Sequence, residues 1–143
     1  MEGRSNNMKK EEFLTYLPRH TSAILSTVRG DGTPDGRGFE FMYEEDDKYY
    51  FGTVNTKDVW KQLQANPKAA FTYMEPSGKF TVRINGDIKV ITDPAEKKSA
   101  YDKIDPMVAK MFKSWDNPVF EIIYFDKPEC RLAKGFSTAE IVE

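Results

Sequence analysis

Hydrophobic and polar positions alternate with a period of two along most of this chain, and four short stretches break into helical spacing. The first is residues 9–17, where Phe13, Leu14 and Leu17 fall on one helical face; Asn6 or Asn7 can cap it and Pro18 ends it. The period then changes. Residues 22–28 read as a strand closed by Arg29-Gly30-Asp31-Gly32, and Asp-Gly is a tight hairpin signal. The return strand runs over about residues 36–43, with Arg37, Phe39, Phe41 and Tyr43 on one face, because alternate side chains of a strand point the same way. An acidic turn, residues 44–47, leads to a third strand over residues 49–54. Three consecutive strands of this kind predict an antiparallel meander.

Thr56 is suited to cap the next helix, since its hydroxyl can accept from a free amide. Val59, Trp60 and Leu63 form the buried stripe, and Asn66-Pro67 stops it. Residues 69–74 and 79–92 read as strands on either side of Glu75-Pro76-Ser77-Gly78. Asn85-Gly86 admits two readings: a two-residue hairpin, or one long strand bent at a glycine bulge. Asp93-Pro94-Ala95-Glu96 supplies cap, proline and capping-box glutamate for a third helix. Asp105-Pro106 starts a fourth with Met107, Val108, Met111 and Phe112. Residues 119–125 and 129–133 are the last strands. The pattern is mainly β with α (α+β), with six or seven strands and short helices at the edges. A set this small hides its edges best by curling into a barrel.

Composition narrows the function classes. The 143 residues suit one domain with no linker. Apolar residues at 39% support a core, and charges at 31% are of mixed sign with a formal net charge of −2, so no basic surplus draws in nucleic acid. Cys130 is the lone cysteine and His20 the lone histidine, which removes an internal disulfide and a cysteine–histidine zinc site. The polar N-terminus lacks a signal-peptide core and no apolar run reaches the ~20 residues of a membrane helix. A cytoplasmic protein with no membrane partner is expected.

The chemistry-bearing candidates are few. G-x-G-x-x-G, Walker A, H-E-x-x-H and C-x-x-C are all missing. His20 reads as a loop residue and Cys130 as a buried, inert thiol. Residues 53–58 join a strand to a helix, where the first amides lack partners and the dipole is positive. Such a junction suits an anion. Thr53, Asn55 and Thr56 add short polar groups there and Lys57 a full charge; the plain alternative is a capped helix with an exposed lysine. Arg37, among aromatics on its strand face, calls for a salt bridge, a rim position or a bound anion. Trp115 sits in a polar segment and suits an interface, a planar ligand or packing under a loop.

Taken in order, the strand over residues 22–28, Asp31-Gly32-Thr33-Pro34, Arg37, Tyr49-Tyr50-Phe51-Gly52-Thr53, Lys57, Gln62-Leu63-Gln64-Ala65-Asn66-Pro67, Val82-Arg83-Ile84-Asn85-Gly86-Asp87 and Asp93-Pro94 resemble the pyridoxamine 5′-phosphate oxidase-like family, over roughly residues 10–95. The resemblance implies a single antiparallel split β-barrel domain that forms a homodimer, with FMN in grooves between the subunits. It places Arg37, Gly38 and Phe39 at the flavin, Gly52 and Thr53 at the ribityl phosphate and Lys57 on the phosphate, with Asn55 and Thr56 in the same loop. It places Thr81 at the flavin as well, and it favours the bent strand at Gly86.

Two departures bear on substrate. The family's oxidases carry an arginine-rich C-terminal segment, which the sequence ending at Glu143 does not show, and Met42 stands where they carry a lysine for substrate phosphate. Both point away from pyridoxamine phosphate and towards the short bacterial branch with its nitroimidazole-resistance-type proteins. The implied function is an FMN-dependent oxidoreductase acting on an unidentified small molecule, such as a nicotinamide, nitro compound or quinone. The alternatives are a non-catalytic flavin- or haem-binding or electron-transfer protein, with His20 as the sole histidine for haem, or a deazaflavin-dependent reductase.

Overall fold

A computed structural model describes residues 7–143. In chain order the elements are β1 (Asn7–Met8), α1 (Lys10–Leu14), β2 (Ser22–Val28), β3 (Pro34–Glu40), β4 (Tyr43–Glu45), β5 (Lys48–Val54), α2 (Asp58–Ala65), β6 (Lys68–Met74), β7 (Phe80–Val90), α3 (Pro94–Asp102), α4 (Pro106–Phe112), β8 (Phe120–Asp126), β9 (Glu129–Lys134) and β10 (Glu140–Val142). The strands join in the order β1-β10-β9-β7-β6-β2-β3, and β8 branches from β7 to carry β5 and then β4. All pairings between named strands are antiparallel except that of β1 with β10. This is the split-barrel architecture, and its sheet is not closed.

The opening lies between β3 and β5, which corrects the expected meander: β3 pairs with β2, while β5 pairs with β4 and β8. The cause sits at Phe41 and Met42. Both are buried, and Met42 accepts the Arg19 Nε–H on its carbonyl while its amide bonds to the Tyr50 carbonyl. The return strand therefore ends at Glu40, and Tyr43 starts a separate strand. Phe41 joins one core and Tyr43 the other, so the expected common face of Arg37, Phe39, Phe41 and Tyr43 does not extend to Tyr43.

Two cores follow from strands buried on both faces. Alternate residues of β5 and β8, among them Phe51, Ile123 and Phe125, face a core with Leu25, Phe71, Val82, Ile84 and Leu132. The intervening Phe120 and Ile122 face a second core with Met42, Ile91, Ala100 and Ile104, covered by α3 and α4. Helix α2 buries Val59 and Leu63 in the first core, and Trp60 packs at its margin.

Strand β7 passes unbroken through Asn85-Gly86. It pairs with β9 up to Asn85 and with β8 from Ile88, so the chain changes partner around Gly86 instead of turning back in a hairpin. A Cβ at Gly86 would lie 3.3 Å from the Pro128 side chain. The helix caps divide. Asp93 accepts the Glu96 amide and Asp105 that of Met107, as their sequences predict. Thr56 is not the cap of α2; Lys57 is, without a side-chain bond, because the chain turns one residue later. Lys9, not Asn7, caps α1, and Asn6 lies outside the described residues.

Candidate functional site

The split leaves a groove of about 400 Å³, within the size range of small-molecule sites. Gly38, Phe39 and Glu40 of β3 form one bank, and Gly52, Thr53 and Val54 of β5 form the other. Met42 lines it as well, Val108, Met111 and Phe112 of α4 make an apolar wall, and Lys57 also lines it. A second hollow of about 280 Å³ is lined by Asp35, Gly36, Arg37, Asp58 and Val59, and the two share Lys57. The hollows thus follow β3 from Asp35 to Glu40 and meet at the start of α2.

The two glycines on the banks of this groove differ in the room they leave. A Cβ on Gly52 would come within 2.5 Å of the end of Met42 and 3.3 Å of Phe120. At Gly38 the nearest atom would be 4.0 Å away, so a side chain there would have room to extend. Thr53 is the informative polar residue. It is 3% exposed, and its Oγ1 is buried without a hydrogen-bond partner. An unpaired buried hydroxyl costs free energy, and native proteins keep such groups where something else satisfies them. Beside it, no side chain caps the first turn of α2, so the turn offers amide donors under a positive dipole.

Arg37 is committed within the fold. Nη1 donates to the Leu25 carbonyl at 3.0 Å, Thr27 Oγ1 at 2.7 Å and the Asp35 carbonyl at 3.3 Å. Nη2 donates to Asp35 Oδ2 at 3.2 Å and Gln62 Oε1 at 3.0 Å. The Gln62 amide at Asp35, with the Arg37 charge, holds that carboxyl below its ordinary range. Asn55 is likewise occupied: its Nδ2 donates to the Pro118 carbonyl and to Glu121 Oε2, both at 2.8 Å.

A family model described as pyridoxamine 5′-phosphate oxidase matches residues 10–126. The chain belongs to the pyridoxamine 5′-phosphate oxidase family. The pyridoxine/pyridoxamine 5′-phosphate oxidase of Pseudomonas paraeruginosa is 32% identical over 108 residues, 75% of this chain and 49% of that protein. The chain thus spans about half the length of the curated relatives it matches. Among solved structures, a nimc/nima family protein from Clostridium acetobutylicum superposes with a TM-score of 0.76 at 26% identity, covering 92% of this chain and 89% of that one. A pyridoxamine 5′-phosphate oxidase-related, FMN binding protein from Nostoc punctiforme superposes at 0.62 with 16% identity, covering 85% and 87%, a likeness of fold.

Of the residues singled out in the sequence of this family member, Gly38, Phe39, Gly52, Thr53 and Lys57 line the groove and Arg37 lines the adjoining hollow. Thr56 is exposed in the loop between them. Thr81 lies elsewhere, on β7 between Met74 and Ala133. The sequence placed Val108, Met111 and Phe112 on a helix without giving them a part in the site, and it carried no sign of the Thr27–Gln62 contact, which spans 35 positions. Cys130 is buried as expected, and burial pushes its thiol up to about 12. His20 is partly buried at φ 56°, with Nδ1 enclosed and unpaired. Trp115 is partly buried too. Among the described residues no helix is long and apolar enough to cross a membrane.

Proposed function

We propose that this chain binds FMN in the groove between β3 and β5 and serves as an oxidoreductase on a small molecule. The observation that carries this reading is the buried, unpaired Thr53 hydroxyl, in a groove that Lys57 and the uncapped start of α2 also border. A phosphate there would meet a hydroxyl donor, an ammonium and amide hydrogens together, the combination that anion sites use. The residues fit the group: Lys57, Thr53 and the first turn of α2 would hold the phosphate, with Thr56 at its edge. Gly38, Phe39 and Gly52 would border the ring, with Gly38 leaving room for a flat body. Val108, Met111 and Phe112 would shield it from water. When bound, FMN supplies the electron or hydride transfer, and the chain's part is binding and orientation.

The same reading includes a homodimer whose second copy completes the groove. Its support is the outward face of β2 and β6, where Ile24 is 47% and Met74 64% exposed. Thr81 pairs directly with Met74, so it would reach the cofactor bound to the second copy rather than its own. Sedimentation equilibrium of flavin-loaded protein should return twice the chain mass; a flavin-loaded monomer at micromolar concentration contradicts the dimer.

The test of the cofactor is a visible spectrum of the purified protein, followed by titrations with FMN and riboflavin. Flavin bands, and tighter binding of FMN than of riboflavin, are the expected result. Riboflavin binding as tightly as FMN would remove the phosphate from the account.

A further inference from the structure

Gln62 is the hub of a closed polar ring that ties α2 to the β2–β3 hairpin. Its Oε1 accepts from Thr27 Oγ1 at 2.5 Å and from Arg37 Nη2 at 3.0 Å, and its Nε2 donates to Asp35 Oδ2 at 3.0 Å. The ring closes through Arg37, which donates to both Thr27 and Asp35. The amide has one sensible orientation, since a flipped Gln62 would aim its hydrogens at a guanidinium and its oxygen at a carboxylate. Thr27 is 2% exposed, so its part of the ring is shielded from water, where broken polar contacts are costly.

Counting donors defines what Arg37 can still do. A guanidinium carries five N–H groups, four of them on the terminal nitrogens. The partners of Nη1 and Nη2 account for those four, which leaves Nε–H. A two-pronged grip on an anion would therefore require Arg37 to give up the ring. Gln62 lies four residues, about one helical turn, after Asp58, the first residue of α2. The ring thus pins the helix just behind the turn that presents Lys57.

We propose that Gln62 is a positioning residue for the phosphate end of the groove: with Thr27 and Asp35 it holds Arg37 as a fixed charge and locks the start of α2, so that Lys57 and the first amides meet the anion already in place. This rests on the FMN reading above. Preorganised donors lose less freedom on binding, and a loosened first turn forfeits that advantage.

The experiment compares wild type with Gln62→Leu by flavin fluorescence quenching and by amide hydrogen exchange of the flavin-free protein. Gln62→Leu should raise the FMN dissociation constant roughly tenfold, the equivalent of about one hydrogen bond to a charged group, and leave riboflavin unchanged. Amides of Trp60 and Lys61, which donate to the Lys57 carbonyl, should exchange faster, while those of β7 and β8 keep their wild-type rates. Should Gln62→Leu fail to fold, Thr27→Val removes one hydroxyl at nearly constant shape and carries the same expectation, with Thr27→Ser restoring wild-type behaviour. An unchanged FMN-to-riboflavin ratio, equal losses for both flavins, or unchanged exchange in α2 would each overturn the proposal. A wild type that does not prefer FMN refutes the phosphate reading instead, and the exchange rates still decide whether Gln62 locks the helix.

Discussion

Thr53 shows how much one side chain can say. The sequence marks Thr53 as one of several short polar groups at a strand-to-helix junction; that its hydroxyl is enclosed and unpaired only the fold reveals. Thr53→Val keeps the shape and removes that hydroxyl. The flavin-free protein should hold its stability or gain up to ~1 kcal/mol, while FMN affinity falls several-fold. Thermal melts paired with titrations check this, and a variant that melts well below wild type would make Thr53 a structural residue. Lys57 was legible in sequence because a lysine at a strand-to-helix junction is a local signal. Arg37 was half legible: its need for a partner could be read, but not that Asp35, Gln62 and Thr27 would satisfy it. Gln62 belonged to a segment that resembles the family, but nothing local showed its role, since a glutamine within an amphipathic helix looks like any solvated position.

At the scale of elements, most of what depends on local chemistry was readable, the caps of α1 and α2 excepted, and what depends on partner choice was not. Period two and the Asp31-Gly32 turn place β2, and the two Asp-Pro starts place α3 and α4. The pairing of β5 with β8 rather than β3 spans some seventy residues, and no local pattern carries it. The change of partner at Gly86 is of the same kind: Asn85-Gly86 alone left the hairpin open, and the family resemblance favoured the bend. The Asp93 cap offers a test of the local logic. Its carboxylate accepts the Glu96 amide at 2.9 Å. Asp93→Ala should cost about 1 kcal/mol in urea unfolding, as N-cap losses do, because α3 covers the second core. An unchanged midpoint would mean that the packing of α3 alone sets its stability.

At the scale of the whole molecule, burial shapes the response to pH. Burial raises the Cys130 thiol from an ordinary 9.0 to about 12 and lifts the Tyr43 and Tyr49 hydroxyls in the same direction. The folded state therefore holds these protons more tightly than the unfolded chain. The stability they support is complete below pH ~9 and is lost as pH climbs towards the folded values. Urea midpoints measured from pH 7 to 11 should be level at first and fall above pH ~9; a midpoint that rises there would contradict the burial of these groups. The open sheet is the larger consequence of the fold. A closed barrel would pair β3 with β5 and leave no groove; the family resemblance implied the split, but no local pattern in the sequence placed it between β3 and β5. The most direct test of FMN in that split is the Lys57→Ala variant, titrated with FMN and with riboflavin beside wild type. The account predicts an FMN dissociation constant raised roughly tenfold or more, the loss of one charge-assisted contact, with riboflavin unaffected. Equal losses for both flavins, or no loss for either, would contradict it.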